Sequence, residues 1–254
     1  MNKMVVIAQN TFKENLRDKV LYNLVLFGLF LIGASVLLGS LAIGEQSKIV
    51  KDIGLAGINV FGVLIAIFVG VGLVSKEIEK RTIYTILAKP VPRHQFIIGR
   101  YLGLIITLLV NTAIMVIAFL GVLLLSGIVP DVGLVKAIGL IFVELLVIVA
   151  VGVMFSTFTT PTLSATFTIA IYVIGHLAND INDLADKVQD GLTPTILRGL
   201  YYVLPNLDFF DVKGDAVYGV PIDTVYFVTV MGYGLAYTAV VIAIACAIFE
   251  RRDF

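Results

Sequence analysis

Residues Ser75–Gly103 read SKEIEKRTIYTILAKPVPRHQFIIGRYLG, a strongly charged block set between long apolar segments. Outside it the composition is that of a chain solvated by lipid. Hydrophobic residues make up 59% and charged residues only 14%, and mean hydropathy is +1.02. A soluble chain of 254 residues would need charge over most of its surface, whereas here the charges are confined to short stretches. Formal net charge is zero, so no global field recruits nucleic acid, and lysines and arginines act instead as markers of topology.

Six apolar segments are long enough to cross about 30 Å of hydrocarbon as helices, near 20–43, 57–75, 101–126, 136–158, 162–178 and 224–249. Backbone polar groups in lipid must be satisfied internally, which restricts spanning structures to helices or closed barrels, and these continuous runs are too long for alternating barrel strands. The expected fold is an all-α polytopic membrane protein, a single transmembrane domain over residues 1–254. The fourth and fifth segments meet in a tight turn at Thr159, Thr160 and Pro161.

Counting basic residues on alternate sides gives 12 on one side (Lys3, Lys13, Arg17, Lys19, Lys76, Lys80, Arg81, Lys89, Arg93, Arg100, Arg251, Arg252) and 6 on the other (Lys48, Lys51, Lys136, Lys187, Arg198, Lys213). The richer side, with both termini, is expected to be cytoplasmic. Residues 1–19 lack the short apolar core and small-residue exit of a cleavable signal, so the first apolar segment is expected to remain as an anchor. Within them Val5, Ala8, Phe12 and Leu16 recur every four residues, which suits an interfacial helix along the membrane; a plain extension of the first span is the alternative.

Inside the charged block, Glu77 and Arg81 have the four-residue spacing that supports a helix, Ile83, Ile86 and Leu87 form an apolar stripe, and Pro90 and Pro92 stop it. A second helix begins near His94, and its Gly99 and Gly103 carry the small-residue spacing that lets membrane helices approach closely.

Several interior and outer residues are candidates for function. Glu144 lies eight residues beyond Lys136, about 12 Å into its helix, and a carboxylate there is costly and often functional; it either serves transport or protons, or holds helices together. Asn111 is its candidate polar partner. The loop 179–223 holds eight aspartates, including Asp180, Asp183, Asp186 and Asp190, against three basic residues. Its first part is expected to be amphipathic, presenting acids to solvent, with attraction of metal ions or of a basic partner as the alternative. Tyr201, Tyr202, Phe209, Phe210 and Tyr218 follow and suit a second segment at the outer headgroup level, anchoring in the membrane or gripping a substrate or a periplasmic protein. His94 and His176 are too isolated for metal coordination and read as packing or interfacial residues. Cys246 is the only cysteine, which rules out an internal disulfide and a thiolate cluster. No metal site is expected.

The order of residues in the charged block resembles the segment between the second and third spans of ATP-binding-cassette type 2 (ABC-2) permeases. Glu77, Glu79, Thr82, Leu87, Lys89, Pro90 and Arg93 carry the likeness. The six spans, the entry helix, the hairpin at FSTFTTPTLSA, the long outer loop and the terminal FERRDF extend it over nearly the whole chain, which within that family is most similar to the NosY-like permeases. The resemblance implies that residues 76–100 form a coupling helix, with Glu77, Glu79, Arg81, Thr82, Tyr84, Leu87, Lys89, Pro90 and Arg93 as the ATPase-coupling set. It also implies a cytoplasmic ABC ATPase subunit in two copies, ATP and Mg bound on that partner rather than on this chain, and a second permease copy, surrounded by membrane lipids in a bacterial or archaeal cytoplasmic membrane. Ala239, Ala243 and Ala247 offer either a dimer face or internal packing.

No Gly-x-x-x-x-Gly-Lys-Ser/Thr phosphate loop occurs, and the nearest fragment, Gly70-Val-Gly72, lies inside an apolar segment without the lysine. The expected role is therefore that of a non-enzymatic transporter subunit for export or transmembrane force transmission. An intramembrane enzyme or a passive channel stays beside it as the alternative, although no His-Glu-x-x-His pair, Gly-x-Ser-x-Gly elbow or continuous polar stripe is present. Lipid, peptide, a copper or sulfur species, and force alone are all open as cargo, because a fold does not set a substrate.

Overall fold

A computed structural model describes the backbone of residues 3–41, 44–79, 92–187 and 193–251, with side chains throughout these except residues 3 and 73–79. All regular structure among them is helical. In chain order the elements are α1 (Lys3–Asn15), α2 (Lys19–Ser40), α3 (Gln46–Glu79), α4 (Arg93–Leu125), α5 (Val132–Ser156), α6 (Pro161–His176), α7 (Ala178–Lys187), α8 (Thr193–Val203), a 3-10 turn (Asp208–Phe210), α9 (Lys213–Tyr218) and α10 (Thr224–Glu250). The all-α membrane reading holds.

Helix ends follow from local chemistry. Asp131 caps α5 by accepting from the Leu134 N–H at 2.8 Å, and Thr160 with Pro161 opens α6 by the usual preference for a hydroxyl at the cap and proline just inside. At the end of α4, Gly127 adopts φ +70, so that the Ile128 N–H reaches back to the Leu123 carbonyl at 2.9 Å and closes the left-handed cap that glycine alone enters cheaply.

Helix α5 is the axis of the bundle. It is apolar nearly all round, the pattern of a helix enclosed by others, and 72% of its most apolar stretch is buried, against 28% for α2 and α4. Helices α3, α4, α6 and α10 surround it. The outer flanks of α2, α4 and α10 display Phe30, Leu37, Leu124 and Val228, a surface suited to acyl chains. Among the described residues five helices are long and apolar enough to span: α2, α3, α4, α5 and α10.

The segment expected to be the fifth span, 162–178, is α6, whose ends match to within two residues. Helix α6 stops at His176 after 16 residues, or roughly 24 Å, and α7 leaves it at 60°. The pair together makes the sixth crossing or a re-entrant turn. Another departure concerns the second span: α3 begins at Gln46 rather than near 57, because Lys48 and Lys51 find acidic partners, Glu45 and Asp131, both at 2.7 Å, and so fit on a helix rather than in a loop.

Close approaches are made by glycine. A Cβ on Gly103 would lie 2.6 Å from both the Ala8 carbonyl oxygen and Thr11 Cβ, and one on Gly99 would lie 3.0 Å from the Met4 carbonyl oxygen. The small-residue pair thus seats α1 on α4. Ala8 and Thr11 of α1 face that contact, whereas Val5 and Leu16 point outward, so the stripe against the protein is shifted from the four-residue series and the remaining apolar face is left for lipid. Gly70, part of the Gly-Val-Gly fragment, meets the backbone of Val149 and Gly152 on α5. It is a packing site between two helices.

Candidate functional site

Charged and polar contacts gather at the two ends of the bundle and at one place between them. At one end the Arg93 guanidinium, on the first residue of α4, donates to the carbonyls of Phe249 and Glu250 at 3.5 and 3.0 Å. His94 Nδ1 lies 3.3 Å from Glu250 Oε1, Phe96 stacks on Phe249 with ring centroids 5.9 Å apart, and Arg100 pairs with Glu14 at 3.4 Å. The final carbonyls of a helix carry partial negative charge, so Arg93 both satisfies them and complements the dipole of α10. The start of α4, the end of α10 and α1 are thereby tied together.

Of the candidate coupling residues, Glu77 and Glu79 lie on the last turns of α3, Arg93 opens α4, and Arg81, Thr82, Tyr84, Leu87, Lys89 and Pro90 lie outside the described residues.

At the opposite end, Lys51 meets Asp131, Lys136 donates to the Ile222 carbonyl at 2.7 Å, and Asn206 donates to Asn179 at 2.8 Å. Helix α7 bears Asp180, Asp183 and Asp186 and pairs through Asp186 with Arg198 of α8 at 2.9 Å. Asp190 lies outside the described residues. Tyr201 and Tyr202 stack edge to face on α8 at 5.5 Å, and Tyr202 is 81% exposed, as an anchoring or contact residue would be. Phe210 does not belong with them. It is fully buried, and a Cβ on Gly234 of α10 would stand 2.9 Å from its ring; the 3-10 turn inserts it beneath the outer segments as a plug.

Between the ends lies Glu144, at the midpoint of α5 and 1% exposed. The amide that reaches it is Asn59 of α3, which donates from Nδ2 to Oε2 at 2.8 Å, rather than Asn111 of α4. The reason is the face of α5 that carries Glu144: it turns to α3 and α6, while Asn111 sits half-buried on α4. Tyr172 of α6 donates to Asn59 Oδ1 at 3.2 Å. His176, read from sequence as isolated, also belongs here, with Nε2 at 3.3 Å from Glu144 Oε1, Nδ1 at 3.0 Å from the Tyr172 carbonyl oxygen, and its ring 4.6 Å from that of Tyr172. The Glu144–His176 approach satisfies the distance of an ion pair, yet neither atom makes an aligned hydrogen bond to any partner.

A polar tetrad of Glu144, Asn59, Tyr172 and His176 therefore links three helices inside an apolar bundle. Such groups are retained in lipid when they face the interior and one another. Glu144 and Asn59 each stand alone in an apolar stretch, and Tyr172 and His176 lie four residues apart in a third; that placement is the signal that sequence offered for the three partners. Among the described residues no group of histidine, cysteine and carboxylate side chains is arranged to hold a metal ion.

An apolar helical bundle with charged ends and a polar knot around Glu144 is the build of a multi-pass membrane protein. The family model described as ABC-2 family transporter protein matches residues 5–254. The chain belongs to that family, and it is the membrane permease component of an ABC transporter, a family that associates with an ABC ATPase subunit. No curated protein matches the chain significantly.

Proposed function

We propose that this chain is a NosY-like permease that converts ATP hydrolysis by a separate ATPase subunit into export or transmembrane force, through residues 76–100 as the coupling segment. Two permease copies and two ATPase copies make up the working unit, with ATP and Mg on the ATPase. Both termini lie on the cytoplasmic side of a bacterial or archaeal cytoplasmic membrane, and the acidic and aromatic residues of 179–223, Asp180, Asp183, Asp186, Asp190, Tyr201 and Tyr202 among them, face a periplasmic partner or the outer headgroups.

The observation that supports this reading is the junction at Arg93. The charged segment connects the end of α3 to the start of α4, and Arg93 at its exit grips the last carbonyls of α10. A push on the segment reaches two spanning helices at once. Stiff helices joined by polar contacts transmit displacement, because packed interfaces shift between discrete arrangements rather than deforming smoothly.

The reading predicts an ABC ATPase encoded beside this chain, and co-expression with it is the test. The permease should copurify with that ATPase and stimulate it, and deletion of residues 80–91 should abolish both. A membrane-impermeant thiol reagent on Thr85→Cys, in a Cys246→Ser background, should label only inverted vesicles. Labelling from the opposite face, or ATPase binding that survives the deletion, overturns the coupling role.

A further inference from the structure

We propose that Glu144 and His176 together bind a single proton, exchanged from the end of the bundle that carries α7, α8 and α9, and that this proton joins the broken end of α6 to α5. Donors and acceptors at the tetrad require it. The Tyr172 carbonyl oxygen can only accept, so its contact of 3.0 Å with His176 Nδ1 places an N–H at Nδ1. On a neutral ring Nε2 is then a bare lone pair. It faces Glu144 Oε1 at 3.3 Å, and an ionised carboxylate also offers only lone pairs.

Glu144 Oε2 is already taken by Asn59, while both Oε1 and His176 Nε2 are buried without another hydrogen-bond partner. Two facing acceptors repel, and an unpaired carboxylate charge at mid-membrane is costly. One proton replaces the facing lone pairs by an attraction across the 3.3 Å that separates the two atoms, and it then belongs to the pair rather than to either residue. A proton is also the ligand that fits the space, since Glu144 is enclosed by side chains.

His176 provides the way in. Its side chain is 21% exposed whereas that of Glu144 is 1%, and it is the last residue of α6, where the chain turns by 60°. Gly175 beside it accepts from the Leu207 N–H at 2.9 Å, which brings the segment leading into α9 against the break. That segment supplies the other charges that act on Glu144, Lys213 and Asp211, themselves 3.5 Å apart. Tyr172 from α6 and Asn59 from α3 touch the pair, and the charges of Lys213 and Asp211 act on it from the outer segment. Tyr172, Asn59 and Glu144 already join α6, α3 and α5; the proton adds a direct contact from the last residue of α6 to α5, and without it that contact is lost.

The chain contains two histidines, so nitrogen-15 NMR of histidine-labelled protein in lipid nanodiscs reads the site directly. His94, paired with Glu250 at the opposite end, is the internal reference, and His176→Gln assigns the second signal. In the unaltered protein His176 should carry its proton on Nδ1 with Nε2 hydrogen-bonded; a neutral ring protonated on Nε2 with Nδ1 bare overturns the proposal without recourse to any variant. In Glu144→Leu, which removes the carboxyl that faces Nε2, the His176 Nε2 signal should shift to that of a bare ring nitrogen while the His94 signals stay in place. An unmoved Nε2 signal is the second result that ends the idea.

Discussion

Lys51 Nζ lies 2.7 Å from Asp131 Oδ2 while Asp131 Oδ1 caps α5, so a single carboxylate joins the start of α3 to the start of the central helix. Partial burial pushes the Asp131 carboxyl up, but the Lys51 hydrogen bond, the Leu134 N–H and the Lys51 charge together outweigh it and hold the group below its ordinary value of 3.8. A depressed carboxyl stabilises the fold above its unfolded value, and that contribution is lost as pH falls through the folded one. Thermal unfolding in nanodiscs should therefore weaken below about pH 4 more steeply for the unaltered protein than for Asp131→Asn. Asparagine is itself a good cap, so Asp131→Asn should lose only the ion pair. Asp131→Ala should cost about 1 kcal/mol more by losing the cap as well.

Gly54 faces Phe119 so closely that an added Cβ would lie 2.0 Å from the ring. Because Phe119 is fully buried, it has no room to withdraw. Gly54→Ala should destabilise the α3–α4 contact by about 1–3 kcal/mol, read as a lower unfolding temperature, whereas Gly33→Ala, with nothing within 4 Å, should leave that temperature unchanged or slightly raised.

The seat of α1 on α4 makes a different demand. Gly103→Leu should displace α1, since Ala8 and Thr11 occupy the space its side chain needs, and protease accessibility of residues 1–18 should rise at least several-fold. Equal cleavage of variant and parent would show that α1 is held by lipid rather than by α4.

Arg93→Ala removes the guanidinium from the end of α10 but leaves α4 and its apolar contacts, including the Phe96–Phe249 stack. The variant should assemble and bind the ATPase, yet stimulate it at least several-fold less. Loss of assembly instead would reassign Arg93 to a purely structural role.

For Glu144 the informative change is isosteric. Glu144→Gln keeps an acceptor for Asn59 and removes the charge, so assembly should persist while transport by reconstituted vesicles falls by an order of magnitude or more. Unchanged transport would take Glu144 out of the mechanism.

Much of the architecture was legible along the chain because lipid imposes a local rule: each span must be apolar over some twenty residues and end in polar caps. That rule marked α2, α4, α5 and α10, flagged Gly99 and Gly103 as a close approach, and singled out Glu144 as a carboxylate in the wrong solvent. It missed the bend after α6 and the start of α3, since apolar length says nothing of a bend or of ion-pair partners supplied from elsewhere in the chain.

Composition and hydropathy by themselves determined a helical membrane protein, and the order of charged residues after its second span pointed to its family. Only the tertiary structure decided that Asn59, Tyr172 and His176 converge on Glu144, that α1 rests on α4, and that Phe210 is a plug. The physical reason is range: burial in lipid is decided residue by residue, whereas the meeting of side chains on different helices depends on crossing positions that no single segment encodes.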